Sequence, residues 1–295
     1  MSDDVLLDVK NLKQYFHINK KLTINAVDDI SFSIRRGEVF GIVGETGSGK
    51  STVGRTIMGV NTLTDGEIYF KGKQISDKKI FNQNKADIQK NIQIIFQDST
   101  AALNPHMTVE KIIAEPLVVN NILKTKEEIA AVVDEHLRLV GLSEPFKKRY
   151  PGEISGGQRQ RVAIARSIAM KPDLIIADEP IASLDISIQA QIVTLLQNLQ
   201  KERGFSIIFI AHDLSIIRFL SDRIAVMLKG KIVELAATKE LFENPIHEYT
   251  RSLISAAPVP DPVYERNKTI IDYDTSRFDG SGRMTEVSKN HFVLI

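Results

Sequence analysis

The sequence predicts an α/β protein: short, mainly apolar strands joined by helices, with a helical segment inserted between two of the strands. Three observations carry that expectation. Val39, Phe40, Ile42 and Val43 form an apolar run that stops at a glycine-rich turn, and Lys50 to Met58 then reads as a helix. Ile92–Phe96, Leu174–Ala177 and Ser206–Ile210 are further short apolar runs, the pattern of strands buried on both faces. Between residues 98 and 157 such runs vanish, and helical spacing (Ile129, Val132, Val133, Leu137, Val140) takes over.

The remaining elements follow in order. Residues 5–35 alternate enough to suggest an antiparallel β subdomain at the N-terminus. Ile188, Ile192, Leu195, Leu196 and Leu199 recur at helical spacing, which predicts an amphipathic helix over 186–201. Residues 223–235 read as a closing strand pair around Lys229-Gly230-Lys231, with helices at Thr238–Phe242 and His247–Ala256. Ala257-Pro258-Val259-Pro260-Asp261-Pro262 has no helix option and predicts a stiff extended segment. The tail, 263–295, is mixed and charged, and is expected to be partly ordered or to pack on a neighbour. The expected division is one domain over 1–257, holding the helical subdomain at about 98–157, and a C-terminal extension over 258–295.

Composition narrows the function. At 295 residues the chain can bury a full α/β core plus an appendage. Lys+Arg is 38 and Asp+Glu is 37, so no basic excess drives nucleic-acid binding. The absence of cysteine excludes a disulfide scaffold, a thiolate zinc site and a cysteine-ligated cluster, and fits a cytosolic setting. No stretch approaches the roughly 20 apolar residues that span a bilayer. The start, Met1-Ser2-Asp3-Asp4, is acidic and lacks a signal-peptide pattern.

The glycine-rich turn is Gly44-Glu45-Thr46-Gly47-Ser48-Gly49-Lys50-Ser51. Strand, turn and helix is the context of a phosphate-binding loop. Glycines let main-chain N–H groups face inward as an anion nest, and the helix N-terminus adds partial positive charge. Lys50 would reach the β- and γ-phosphates of a nucleoside triphosphate, Ser51 would hold Mg²⁺, and Thr52 would reach the α-phosphate. The run Leu174–Ala177 ends in Asp178-Glu179, carboxylates at a strand end where ligands sit in open α/β sheets. Asp178 is the natural Mg²⁺ partner through a water or through one of the ion's own ligands, and Glu179 can act as base on a water in line with the γ-phosphate. Ile154-Ser155-Gly156-Gly157-Gln158 opens a helix and forms a second anion nest, which the first loop does not need for its own ligand. One loop and one extra nest in a chain suggest that two chains share each nucleotide.

With these segments in order, the chain resembles the nucleotide-binding subunit of an ATP-binding-cassette (ABC) transporter. The resemblance implies a P-loop NTPase core and gives further residues their roles. Gln97, after Ile94-Ile95-Phe96, matches the Q-loop and would offer its amide to Mg²⁺ or the attacking water. Ala182-Ser183-Leu184-Asp185 matches the D-loop, which puts Asp185 at a dimer seam. His212, after Ile208-Phe209-Ile210-Ala211, matches the switch histidine, which would bond the γ-phosphate and hold Glu179. Ser155, Gly156, Gly157 and Gln158 would face ATP held by the partner chain. An aromatic near the N-terminus often stacks on adenine in such subunits. Tyr15 and Phe16 are the candidates, alignment favours Phe16, and a strand aromatic in the local core is the alternative.

Asn244-Pro245-Ile246-His247-Glu248-Tyr249-Thr250 resembles the C-terminal box of the oligopeptide/dipeptide importer subfamily, with Glu248 at a usual proline position. Asp98-Ser99-Thr100-Ala101-Ala102-Leu103-Asn104-Pro105 resembles it as well. Of that subfamily's two ATPase subunit types, the chain looks more like the F-type. The implied activity is ATP hydrolysis powering peptide import, with ATP and Mg²⁺ bound at a head-to-tail dimer interface. The implied partners are a sibling or identical ATPase, two transmembrane permeases met by helices around Met107–Val118 and, indirectly, an extracytoplasmic peptide-binding protein. The implied place is peripheral, on the cytoplasmic face of the membrane. A soluble ABC-type ATPase acting in DNA repair or on ribosomes is the alternative. A small-molecule kinase would leave Ser155–Gln158 without a task.

Overall fold

The computed structural model describes residues 4–19, 22–258 and 267–295. Along the chain the elements begin with β1 (Val5–Asn19), β2 (Leu22–Arg35), β3 (Val39–Val43), α1 (Lys50–Ile57), β4 (Asp65–Phe70), β5 (Lys73–Gln74), α2 (Lys78–Asn91) and β6 (Ile92–Ile95). Next come α3 (Ser99–Ala102), α4 (Val109–Val119), α5 (Lys126–Leu139), α6 (Gly156–Ala169), β7 (Leu174–Asp178), α7 (Ile186–Arg203) and β8 (Ser206–Ala211). The chain closes with α8 (Leu214–Leu220), β9 (Arg223–Leu228), β10 (Lys231–Ala237), α9 (Thr238–Glu243), α10 (Glu248–Ala256), β11 (Met284–Ser288) and β12 (His291–Leu294). These elements cluster into two units, Met1–Phe81 with Ile208–Ile295 and Asn82–Ile207.

In the first unit, β1 and β2 pair antiparallel, with Val9 opposite Phe32 and Phe16 opposite Ile24. Leu7, Val9, Val27, Ile30, Phe32 and Ile34 fill the buried face. The alternation slips at Asn11 and Asp29, whose φ values are 47° and 58°, and the Asn11 amide donates to the Asp29 carboxylate at 3.1 Å. This bulge returns Leu12 to the buried side. β4 adds to β1, and β5 to β4. The second sheet of this unit carries β9 parallel to β3, with Gly41 opposite Ile224, and β10 antiparallel to β9. All five residues of β3 are buried, and Phe40 stacks on Phe32 at 5.2 Å between ring centroids.

The tail is ordered where it meets β10. β12 pairs antiparallel with β10 and β11 with β12, so part of 267–295 extends the sheet of its own chain. The expected extended segment from Val259 to Pro262 lies outside the described residues; Ala257 and Pro258 follow α10 without regular structure.

In the second unit, β6 and β7 pair in parallel, with Ile94 opposite Ile176. Residues 98–157 contain α3, α4, α5 and the start of α6, and no strand. α5 opens with a capping box: the Glu128 amide donates to Thr125 Oγ1 at 3.2 Å, and the Glu128 carboxylate accepts from the Thr125 amide at 3.1 Å. Arg166 on α6 donates to the Ala102 carbonyl at 2.9 Å and so ties α3 to α6. α7 runs two residues beyond the expected 201, and Gly204 ends it at φ 74°.

Two ion clusters lock the first unit. Arg223 donates to Glu38 Oε1 at 3.0 Å and to the Ser33 carbonyl at 3.1 Å, while its guanidinium lies over Phe40. Both charged side chains are largely buried, with 14% and 5% of their surface exposed. Removing one partner strands the other charge, so Glu38→Ala should lower unfolding free energy by about 3 kcal/mol in urea titration. In the second cluster the Tyr15 hydroxyl donates to Asp28 at 2.5 Å, and Lys231 approaches the other carboxylate oxygen at 3.0 Å. The Tyr15 hydroxyl, more than any other group, holds the Asp28 carboxyl below its ordinary range. A depressed carboxylate contributes stability that is present above its unfolded pKa and is lost as pH falls through its folded one. Tyr15→Phe should therefore be less stable than the parent at neutral pH, with the gap narrowing as pH falls below about 4. Urea midpoints measured across that range check the sign.

Candidate nucleotide-binding site

β3 delivers the chain into the turn, and α1 starts at Lys50. The turn depends on two glycines. Gly44 has φ 151°, and a Cβ there would lie 2.1 Å from the Met227 carbonyl oxygen of β9. Gly49, the N-cap of α1, has φ 99°, and a Cβ there would lie 2.0 Å from the Ala26 carbonyl oxygen of β2. Only hydrogen fits at either position. Strands from both sheets of the first unit thus press the loop into shape.

Lys50 is buried, with 3% of its surface exposed. Its ammonium donates to the carbonyls of Gly44 and Glu45, each at 2.7 Å, and lies 3.5 Å from Ser48 Oγ. The Ser48 amide donates to the Glu45 carbonyl at 3.1 Å, and the Ser48 carbonyl accepts from the Gly230 amide at 3.0 Å. Glu45, Thr46 and Gly47 form the exposed rim, whereas Ser51 and Thr52 are half-buried in the first turn of α1. No acidic side chain occupies that turn, so no carboxylate there offsets the partial positive charge of the helix start. His212 lies in this unit, exposed, directly after β8, and Asp213 beside it caps α8 by accepting the Ser215 amide at 2.7 Å.

Tyr15 and Phe16 are both half-buried on β1. Burial, with the bond to Asp28 second, pushes the Tyr15 phenol up to about 12. Its hydroxyl is thereby committed to the sheet, whereas Phe16 carries no such tie.

The second unit assembles a separate group. Asp178 ends β7 and is fully buried. Glu179 follows at φ 46°, a left-handed conformation that costs a non-glycine residue energy and aims its side chain out of the strand line. Gln97 Nε2 donates to Glu179 Oε2 at 3.0 Å, so the two residues expected around one water are already in contact. Ser155 caps α6: its Oγ accepts from the Gln158 amide at 3.3 Å, and Gln158 Oε1 accepts from the Ser155 amide at 2.9 Å. This box leaves the Gly156 and Gly157 amides at the open end of a 14-residue helix with no acidic first turn. A Cβ at Gly157 would lie 2.7 Å from the Ile188 methyl of α7, so glycine also sets how closely these helices pack. Asp185 is the exposed N-cap of α7; its main-chain carbonyl, rather than its carboxylate, receives the Ile188 and Gln189 amides. Arg159 was not among the expected residues. Its guanidinium donates to the carbonyls of Pro151 at 3.1 Å and Ile154 at 2.7 Å, which pins the turn that leads into the nest.

The chain matches the family model described as ABC transporter over residues 27–182, and the model described as oligopeptide/dipeptide transporter, C-terminal region, over residues 233–279. It is 51% identical, over 98% of its length and 95% of the relative's, to the oligopeptide transport ATP-binding protein OppF of Bacillus subtilis. It is 47% identical, over 98% of its length and 93% of the relative's, to the dipeptide transport ATP-binding protein DppF of Lactococcus lactis subsp. cremoris. Among solved structures it is similar to the dimeric, post-hydrolysis state of the ATP-binding cassette MJ0796 bound to ADP and Pi, at TM-score 0.72 and 29% identity, covering 79% of this chain and 99% of that one. Two matched regions and near-complete alignment at half identity leave one assignment: the chain belongs to the ABC transporter family, among its oligopeptide and dipeptide transport ATP-binding proteins.

Proposed function

We propose that this chain is the ATP-hydrolysing subunit that powers peptide import by an ABC transporter, and that each ATP is held between two cassettes packed head to tail. The observation that carries the proposal is the pair of candidate anion cradles on one polypeptide: the Gly44–Ser51 loop around the buried Lys50 ammonium, and the Gly156–Gly157 start of α6. The names of the relatives, oligopeptide and dipeptide transport proteins, support peptides as cargo over other solutes. The dimeric ADP- and Pi-bound cassette among the structural neighbours supports a paired arrangement.

In this reading Lys50 exchanges its two carbonyl partners for β- and γ-phosphate oxygens. The α1 amides and the hydroxyls of Ser51 and Thr52 line the same phosphates. Phe16, rather than the tied Tyr15, offers its face to the adenine. Ser51, Asp178 and Gln97 supply the hard oxygen donors that Mg²⁺ prefers, and that ion screens phosphate charge when bound. Glu179 accepts the proton of the attacking water, which Gln97 helps orient through its bond to the same carboxylate. His212 stabilises the γ-phosphate end. Positioning and charge stabilisation do most of the work in such a transfer. From the partner chain, Ser155, Gly156, Gly157 and Gln158 cap the γ-phosphate, with Asp185 beside them at the seam. The capping box assigns Ser155 a further task, since its hydroxyl shapes the nest whose amides meet the anion.

The helical segment 98–157 faces the permeases in this reading, with α4 presenting Val118 and Val119, which are 46% and 72% exposed. Residues 1–257 form the cassette, and 258–295 form an extension built onto it. Among the described residues no helix is long and apolar enough to cross a membrane. In this reading two permease subunits supply the path, the chain sits at their cytoplasmic face, and a binding protein delivers peptide from outside.

Glu179→Gln keeps the bond-forming shape of the side chain and removes its basicity. It should bind ATP as tightly as the parent while steady-state phosphate release falls at least about a hundredfold. Turnover within a few-fold of the parent would remove Glu179 from the base role.

A further inference from the structure

The phosphate loop is held from outside by a residue that none of its motifs includes. The Glu45 amide donates to the Tyr249 hydroxyl at 3.0 Å, across 204 positions of chain. That amide belongs to the same peptide unit as the Gly44 carbonyl, which accepts the Lys50 ammonium at 2.7 Å. One peptide plane is thus gripped on both edges, by a lysine on the phosphate side and by a phenol on the far side.

Tyr249 is fully buried on α10. Phenylalanine would fill nearly the same volume, so packing alone does not account for the hydroxyl; a buried phenol needs a polar partner, and the loop amide is one. Burial pushes this phenol up to about 12, which keeps it neutral at any physiological pH.

A polar relay, buried at its Glu234 and His291 end, sets its position. The Tyr249 amide donates to His247 Nδ1 at 3.1 Å, and the Ile246 and His247 amides donate to the two carboxylate oxygens of Glu234 at 2.9 and 3.0 Å. Glu234, wholly buried on β10, is bonded at 2.7 Å to His291 Nε2, and His291 is 1% exposed on β12. Tyr273 lies against the Tyr249 ring at 5.7 Å between centroids. Every member belongs to the first unit.

We infer that Tyr249 is a positioning residue for ATP: its hydroxyl fixes the Gly44–Glu45 peptide plane on which Lys50 hangs, and residues 267–295 keep Tyr249 in place through His291 and Glu234. When Lys50 turns to phosphate, this peptide loses one of its holds. The phenol then keeps the loop in the shape that receives the anion. The inference rests on the loop being the ATP site.

The test uses the full chain. Tyr249→Phe should raise the dissociation constant for Mg·ATP, measured by calorimetry, and the KM for ATP about fivefold, while kcat changes less than twofold; a net hydrogen bond of ordinary strength sets that scale. Glu45→Pro deletes the same bond from the loop side, so adding Tyr249→Phe to it should produce no further rise. His291→Leu should shift affinity in the same direction by about twofold, because Glu234 retains its two amide donors. Hydrogen exchange at the Glu45 amide, which requires no nucleotide, should quicken in Tyr249→Phe. A parent chain that fails to bind Mg·ATP contradicts the ATP-site reading, and the exchange measurement then still decides whether the bond exists. A lower melting temperature with unchanged affinity, an additive double variant, or unchanged Glu45 exchange would overturn the inference.

Discussion

The interaction on which the first unit is organised is the burial of one ammonium. Lys50 has left water almost entirely, and a charged group in that position needs full compensation. Two carbonyls of its own loop provide it. For those carbonyls to turn inward, the chain must pass through conformations reserved for glycine at Gly44 and Gly49, with β2 and β9 close enough to exclude any side chain there. The result is a loop already closed around the position of the Lys50 ammonium. In the proposed ATP site, a phosphate group replaces carbonyl oxygens around Lys50 without first reshaping the backbone, which is the sense in which such a site is preorganised.

The second unit applies the same chemistry without a lysine. Its cradle is the bare start of α6, shaped by the Ser155–Gln158 box and backed by Arg159. A nest with helix charge alone holds an anion weakly, whereas a nest placed over a phosphate already gripped elsewhere adds selectivity for the state in which the γ-phosphate is present. That division suits a shared site. In the proposed pairing, the chain that binds with Lys50 is sensed by a chain that contributes Gly156 and Gly157. The strained Glu179 and its Gln97 partner stand on the same unit as the nest, so nucleotide chemistry and the surface presented by the helical segment are built from one stretch of sequence.

Much of this was legible because local rules and global fold agree. β3, β6, β7 and β8 announce themselves as apolar runs, and the structure buries every residue of β3, β7 and β8 and the two end residues of β6. α7 shows its stripe, with Ile192, Leu196 and Leu199 buried as the spacing implies. Other elements were illegible for physical reasons. α2, Lys78–Asn91, is polar almost throughout, with Ile88 as its buried side chain, so its periodicity is faint. β4 is short and carries Gly66, β5 is two residues long, and β11 is an edge strand with most of its residues exposed. In the sequence Ser155 reads as a ligand group, whereas its Ser-x-x-Gln spacing to Gln158 also carries the signal of a helix cap. Tyr249 could not be found from spacing at all, because its partner is an amide 204 positions away and amides leave no mark in composition.

The central claim is that one polypeptide provides the lysine loop and another provides the facing nest for the same triphosphate. Its most direct measurement is ATP turnover per chain, followed as the purified protein is diluted through its association equilibrium, with mass monitored in parallel. The account predicts that turnover collapses as paired chains separate while each monomer continues to bind ATP. Undiminished turnover in a solution shown to hold only single chains would contradict it.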